Sequence, residues 1–376
     1  MKIVYDVCLI SFSDISCDAR SLNIIRTLEN AGKSVAIISF GNKVNLSENA
    51  FDKNNFYVIP FFNMPRNYQN WLAFNKYIKN HYPFIEAKTY WAADLYSLAP
   101  AVNFKKTYGG HIVYDSREIF SALGPLSGKP LKQAAVTYIE KRLVAYVDSF
   151  VTSGKDDSDF LKEHFKTNKI FTEIYNFPPY QEFNKTNILR KKFNIDEEKK
   201  ILIYQGKILR GRGLVPALNA LEFAEDFVLC VIGDGEYEEK FREIVKNNAN
   251  SSRVFFYGVT QYQNLHSITC SADCGLAFIE PITFSYSLAL PNKLFEYCMA
   301  RIPSIVSDLP AMRPYIEKYG IGEILSPIAS AEEFAKALNK ICNVENKEEF
   351  INKCDSAARV LNYDTQSMKI LVDVIN

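Results

Sequence analysis

Short apolar runs alternate along this chain with stretches in which apolar residues recur every three or four positions. The runs read as strands and the periodic stretches as amphipathic helices. Val4 to Phe12 predicts a first strand. Ala19 to Ala31 places Leu22, Ile25 and Leu28 on one face and predicts a helix closed by Gly32. Ser34 to Phe40, stopped by Gly41, predicts a second strand, and Phe56 to Pro60 a third. Helices over Tyr68 to His81, Ala92 to Phe104 and Lys132 to Tyr146 alternate with strands at Phe84 to Tyr90, His111 to Tyr114 and Ser149 to Ser153. Phe171 to Tyr175 then leads into Asn176, Phe177, Pro178 and Pro179.

A polar, proline-bearing segment from Asn176 to Asp196 interrupts the pattern, which then restarts. Strands are predicted at Lys200 to Tyr204, Phe227 to Gly233 and Val254 to Tyr257, with helices over Leu214 to Phe223 and Glu236 to Asn247. The apolar run Cys274 to Phe278 passes through a mostly polar loop into a helix that starts in LPNKLFEY, Leu290 to Tyr297, and ends near Ala300. Ile302 to Asp308 is a further strand, and Ala331 to Ile341 a further helix. Repeated alternation of this kind predicts an α/β fold with two doubly wound parallel sheets, one on each side of the polar segment.

The composition sharpens this picture in a few places. The chain has 376 residues, 48% hydrophobic and 23% charged, which predicts a large buried core. A net charge of +1 gives nucleic-acid binding no support. Residues 1–180 carry 21 Lys and Arg against 17 Asp and Glu, a mild basic excess that suits an anionic membrane or acceptor. The eight cysteines form no C-x-x-C pair, and Cys8, Cys230, Cys274 and Cys298 lie in apolar segments as small buried hydrophobes, which suits a reducing cytosol. Four scattered histidines make no metal-ligand cluster. No apolar run is long enough for a membrane span, and the start reads as a strand rather than a signal peptide.

The candidate chemistry lies mostly in the second half. In LPNKLFEY, Lys293 and Glu296 are spaced i, i+3 and share one face near a helix N-terminus. A cation there suits a phosphate, and a carboxylate one turn on suits sugar hydroxyls. The simpler alternative for such a pair is a surface ion pair. Earlier, YQGKILRGRGL, Tyr204 to Leu214, carries Gly206, Gly211 and Gly213 with Lys207, Arg210 and Arg212 between a strand and a helix. Glycines admit a ligand close to the backbone, and three cations at a helix start suit a diphosphate. The alternative is a basic β–α loop without a ligand. No G-x-G-x-x-G opens the first half, which counts against a dinucleotide dehydrogenase.

These motifs resemble those of retaining glycosyltransferases of the family 4 type, over nearly the whole chain. Lys207 and Arg212 match the family's basic pair for the donor diphosphate, with the two cations exchanged. VIGDGEY, with Gly233 and Gly235, resembles its strand–GxG turn, and VFFYGVT, with Gly258, the strand that borders the base. Glu296 matches the glutamate that holds the ribose, and Lys293 lies close to phosphate or sugar. Asn292 and Leu294 belong to the same segment. The sugar-contacting glutamate of many relatives, eight positions earlier, is Leu288 here, so Ser287 and its neighbours Ser285 and Tyr286 are expected to meet the donor instead. In the first half, Asp18 and Arg20 match an Asp-x-Arg loop facing the acceptor. Asp115 and Glu118 match a YD-x-HE motif whose histidine is replaced by Arg117, the simpler alternative being a structural Asp–Arg–Glu cluster.

The resemblance implies a GT-B fold. Residues 1–180 would form an acceptor-side Rossmann-like domain completed by a C-terminal helix at about 360–376, drawn from Ala357 to Asn376. Residues 181–359 would form the nucleotide-sugar domain, with the cleft between the two. It implies transfer of a sugar from a nucleoside-diphosphate sugar, a UDP-sugar first, to a hydroxyl of a glycan or lipid-linked glycan, with configuration retained and neither metal nor cofactor. Lys207 and Arg212 would neutralise the leaving diphosphate. Asp115 and Glu118 would meet the acceptor hydroxyl, and Arg117 would hold an anionic acceptor or the leaving phosphate. The setting implied is bacterial surface polysaccharide synthesis in the cytoplasm, peripheral on the inner membrane face. Rival readings are a GT-B nucleotide-sugar epimerase and a non-catalytic GT-B partner subunit.

Overall fold

The computed structural model describes residues 4–15, 18–40, 55–60, 67–120 and 129–375. Gly41 and Cys17 lie outside them. The chain divides into two compact units, residues 1–176 with 366–376, and residues 177–365.

In unit 1 the strands are β1 (Val4–Asp14), β2 (Val35–Phe40), β3 (Phe56–Ile59), β4 (Glu86–Ala92), β5 (His111–Ser116), β6 (Ser149–Thr152) and β7 (Ile170–Glu173). They form one sheet in the order β3-β2-β1-β4-β5-β6-β7, every pairing parallel. The helices are α1 (Ala19–Asn30), α2 (Tyr68–His81), α3 (Leu95–Tyr108), α4 (Pro130–Val144) and α5 (Lys155–Phe165). A core of Cys8, Ile10, Ile38, Tyr90, Leu98, Tyr114 and Phe150 joins sheet and helices.

Unit 2 opens with α6 (Ile188–Phe193), inside the segment that its polar composition marks as a linker. Its sheet runs β10-β9-β8-β11-β12-β13, again all parallel. The strands are β8 (Lys200–Gln205), β9 (Phe227–Ile232), β10 (Val254–Gly258), β11 (Cys274–Ala277), β12 (Ser304–Ser307) and β13 (Gly322–Leu325). The helices are α7 (Leu214–Ala220), α8 (Glu238–Lys246), α9 (Tyr262–Thr269), α10 (Phe284–Ser287), α11 (Asn292–Met299), α12 (Arg313–Tyr319), α13 (Ala331–Ile341) and α14 (Val344–Ala358). Leu202, Leu229, Leu276, Ile305, Phe334 and Leu338 are at the core. Both sheets are doubly wound α/β arrangements.

Several predicted boundaries move. β4 runs on to Ala92, and α3 begins only at Leu95, where the Asp94 carboxylate caps the Ser97 amide. The last segment is not one helix. α14 ends at Ala358, and after a bend α15 (Asp364–Lys369) passes into a π-helical turn at Ile370–Val374. The Asn362 amide donates to the Ala358 carbonyl and its oxygen accepts from Thr365, so side-chain bonds take over where the ladder stops. Among the described residues no helix is long and apolar enough to cross a membrane.

The sheet of unit 2 reverses its winding between β8 and β11, and an α/β sheet binds ligands beyond the strand ends at such a switch. Gly275 of β11 makes this point possible. A Cβ there would lie 2.2 Å from the Tyr297 ring, so only glycine lets the ring pack flat on the strand. The buried Tyr297 hydroxyl then donates to the Ile203 carbonyl at 3.1 Å and accepts from the Gln205 amide at 3.2 Å. α11 is thereby pinned to the end of β8.

Candidate functional site

The turn after β8 and the loop after β11 meet at this switch. Gly206 has φ +113°, a conformation that side chains disfavour, and the nearest atom to a Cβ there would be Lys293 Cε at 4.0 Å. The Glu280 amide donates to the Gly211 carbonyl at 2.9 Å, which ties the two loops together. Gly211 itself packs against Ile282 and Tyr286, and Gly213 against Phe278. Gly233 and Gly235 abut the backbone of Gly206 and Ile208, so these two glycines serve the packing of one turn on the next. The Gly258 carbonyl accepts from the Gly233 amide, and the position of its missing Cβ faces open space.

Two cations converge here. Arg212 is half-buried, its guanidinium 4.4 Å above the Tyr286 ring, and its buried Nε has no hydrogen-bond partner. Lys293 Nζ lies 3.5 Å from the centroid of the Tyr204 ring. Burial, and next the charge of Arg212, push the Lys293 ammonium well below its usual range, while Glu296 opposes the shift. Among the described residues neither Arg212 nor Lys293 has a carboxylate within ion-pair distance. An orphaned buried guanidinium N–H next to a destabilised ammonium is a site short of negative charge.

The other predicted residues of this unit are placed as follows. Lys207 and Arg210 are exposed, and Lys207 Nζ pairs with Asp234 at 2.5 Å. Asn292 is exposed at the start of α11, whereas the Leu294 side chain is wholly buried. Ser287 and Leu288 are half-buried at the end of α10, whose start is capped by Thr283. Glu296 is half-buried on a small pocket, and Gln205 Nε2 donates to its Oε2 at 2.5 Å. Burial raises its carboxyl, against the opposing bond from Gln205 and charge of Lys293. The i, i+3 pair in α11 is thus split between two neighbours, Tyr204 and Gln205. Neither Gln205 nor its partner Thr269 stands out in the sequence, because they reach Glu296 only through the packing of β8 on α9 and α11.

In unit 1 the predicted acceptor-side residues form one buried ionic cluster. Arg20 makes a forked contact with Asp115 at 2.8 to 3.0 Å and donates to Asn176 Oδ1 at 2.8 Å. Arg117 donates to Asp18 at 2.7 and 2.9 Å, to Asp115 at 3.2 Å and to Ser21 Oγ at 2.7 Å. Asp18 also caps α1 through the Ser21 amide. Burial opposes its ionisation, but the Arg117 charge and the Ser21 amide hold it at about 2. The Asp115 side chain is closed to solvent, and the exposed carboxylate of the motif is Glu118. The Arg117 guanidinium is thus engaged by Asp18, Asp115 and Ser21.

Residues 185–359 match the model of the family Glycosyl transferases group 1. Comparison with curated protein sequences returns no match. Among solved structures, HepE of Anabaena in complex with UDP and glucose superposes with a TM-score of 0.76 at 12% identity, covering 98% of this chain and 99% of that one. Sucrose-phosphate synthase of Thermosynechococcus elongatus reaches 0.78 at 14% identity over 97% of each chain. WaaG, a glycosyltransferase involved in lipopolysaccharide biosynthesis, reaches 0.68 at 16% identity, covering 98% and 99%. The shared fold spans both units, and the family model falls on the unit that holds Arg212, Lys293 and Glu296, so the chain has a GT-B fold whose second unit matches the Glycosyl transferases group 1 family.

Proposed function

We propose that the chain moves a sugar from a nucleoside-diphosphate sugar to a hydroxyl of a glycan or lipid-linked glycan, with the anomeric configuration retained. The observation that carries this is the pairing of Arg212 with Lys293 at the ends of β8 and β11, without a carboxylate on either among the described residues. A diphosphate supplies the missing charge. As the anomeric C–O bond to it breaks, charge builds on its terminal phosphate, and preformed cations stabilise that charge more than they stabilise the ground state. The acceptor oxygen forms the new C–O bond and its proton leaves with the departing diphosphate. Glu296 takes the ribose hydroxyls. UDP is the favoured nucleotide, because HepE, of the same fold, is seen with UDP and glucose. On this reading side chains carry the charge and turnover survives EDTA.

Peripheral binding to the cytoplasmic membrane face, and with it a lipid-linked acceptor in surface polysaccharide synthesis, fits α4. Leu131 is 86% exposed and Tyr138 60% exposed, with Lys132, Lys141 and Arg142 beside them, while the helix's one acidic residue, Glu140, is buried. Vesicles with and without anionic lipid test this by co-sedimentation, and equal binding to both removes it.

Thermal unfolding against UDP, GDP, dTDP and ADP, with and without EDTA, tests the donor site. A rise in Tm with one diphosphate that survives EDTA and disappears in Arg212→Ala is expected. No rise with any of them overturns the reading.

A further inference from the structure

Glu296 belongs to a chain of three polar side chains, two of them removed from solvent. Gln205 and Thr269 are each 1% exposed. Gln205 Nε2 donates to Glu296 Oε2, and Gln205 Oε1 lies 2.8 Å from Thr269 Oγ1. The proton order follows from chemistry. An ionised carboxylate only accepts, so Gln205 must turn its NH2 toward Glu296. Its carbonyl oxygen then needs a donor, and the Thr269 hydroxyl supplies one. That hydroxyl also lies 2.8 Å from the Leu265 carbonyl, its own helix, but its single proton is required by the buried amide. The order closes with each member satisfied, which a buried polar chain must be if it is not to cost stability.

We propose that Gln205 and Thr269 are positioning residues of the donor site, fixing Glu296 Oε2 so that Oε1 faces the pocket and receives the vicinal hydroxyls of the nucleoside ribose. The pocket lining agrees. Gln205, Thr269 and Glu296 share a small pocket with Tyr262, Leu265, His266 and Met299, so the carboxylate borders space that a ligand can reach. The bond from Gln205 also favours the ionised carboxylate that burial disfavours. This inference rests on the reading of Glu296 as the ribose ligand.

Titration calorimetry with UDP, GDP and ADP, which share the ribose, tests it on the full chain. Gln205→Leu keeps the volume and Thr269→Val the shape, and unfolding melts check that both fold. Each is expected to weaken the nucleotide that binds about tenfold at pH 8, the size of a hydrogen bond to a charged group. Thr269→Ser, which keeps the hydroxyl, is expected to bind like the parent. In a Glu296→Ala background neither change should cost anything further. Burial raises the Glu296 carboxyl above its usual range and the Gln205 bond opposes this, so the ratio of variant to parent affinity should worsen for Gln205→Leu as pH falls toward that titration. Lys293 and His266 also face Glu296 or its pocket, and both are present in variant and parent alike. Additive losses in the Glu296→Ala background, or a flat ratio, overturn the positioning role while leaving the ribose reading intact. Unchanged affinity in Glu296→Ala itself overturns both.

Discussion

The Arg212 guanidinium stacks over the Tyr286 ring at 4.4 Å while its buried Nε bonds to nothing. The ring supplies attraction to the cation without neutralising it, so the charge stays available for a ligand. Arg212→Ala is therefore expected to lower kcat/KM by about a hundredfold or more, in line with loss of a charge-stabilising donor. Arg212→Lys keeps charge but loses the planar stack and should recover only part of this. Tyr286→Phe keeps the ring face and should leave turnover within about twofold, whereas Tyr286→Ala should cost roughly tenfold. Initial-rate kinetics on the four variants check the order, and Tyr286→Phe as damaging as Tyr286→Ala would show that the hydroxyl, not the ring, matters.

Arg117 makes a different argument, about stability. It bridges Asp18 after β1 and Asp115 on β5, so Arg117→Ala leaves the Asp18 carboxylate buried without a cation. The expected loss is about 3 kcal/mol in urea unfolding at pH 7. In the parent, Asp18 has a folded pKa of about 2 against an ordinary 3.8, so its contribution is present above pH 3.8 and lost as pH falls toward 2. The deficit of Arg117→Ala should shrink over that window. Arg117→His should behave like Arg117→Ala at pH 8, where imidazole is neutral, and recover stability at pH 5.5, where it is charged. A His variant as weak at pH 5.5 as at pH 8 would mean that charge at position 117 is immaterial.

Local pattern carried the fold and the cations of the site. The strand–turn–helix signals around Gly206 and the i, i+3 spacing of Lys293 and Glu296 can be read within a few residues, because turn chemistry and helix faces are local. The partners could not be read that way. Gln205 lies 91 positions from Glu296 and 64 from Thr269, and Asp18 lies 99 from Arg117. Only the sheet order brings them together. For the same reason Asp115 reads as a reactive carboxylate in VYDSREIF, although the fold surrounds it with two arginines. Helices rich in charge, such as α5 and α6, carry too few apolar positions for their period to show.

Arg301 shows how a residue that breaks a local rule is compensated. It follows α11 with φ +54°, a left-handed conformation that glycine adopts without cost. Its side chain is 2% exposed and holds Asp355 of α14 at 2.9 Å, the Gln181 carbonyl at 3.2 Å and the Tyr180 hydroxyl at 3.3 Å. Arg301→Gly relieves about 1 kcal/mol of backbone cost but abandons these partners. Arg301→Ala abandons them and keeps the cost. Thermal unfolding should therefore rank the parent above Arg301→Gly, and Arg301→Gly above Arg301→Ala. A glycine variant that melts above the parent would show that the side-chain bonds do not offset the strain.

Glu140 makes the fold itself sensitive to pH. It lies 2% exposed on α4 and accepts a 2.7 Å hydrogen bond from the Tyr114 hydroxyl of β5. Burial raises its carboxyl to about 7, which the Tyr114 bond and the Lys141 charge offset only in part. The folded state thus holds this proton more tightly than the unfolded chain, where the group titrates near 4.5. Between those two values the unfolded chain binds fewer protons, so stability falls as pH rises, by up to about 3 kcal/mol, and levels off above pH 7. Glu140→Gln keeps an acceptor for Tyr114 and removes the ionisation. It should match the parent near pH 4.5, exceed it by about that amount at pH 8, and flatten the curve between them. Urea unfolding of both proteins at half-unit steps measures the difference, and parallel curves from pH 4.5 to 8 would place the ionisation of Glu140 outside this range.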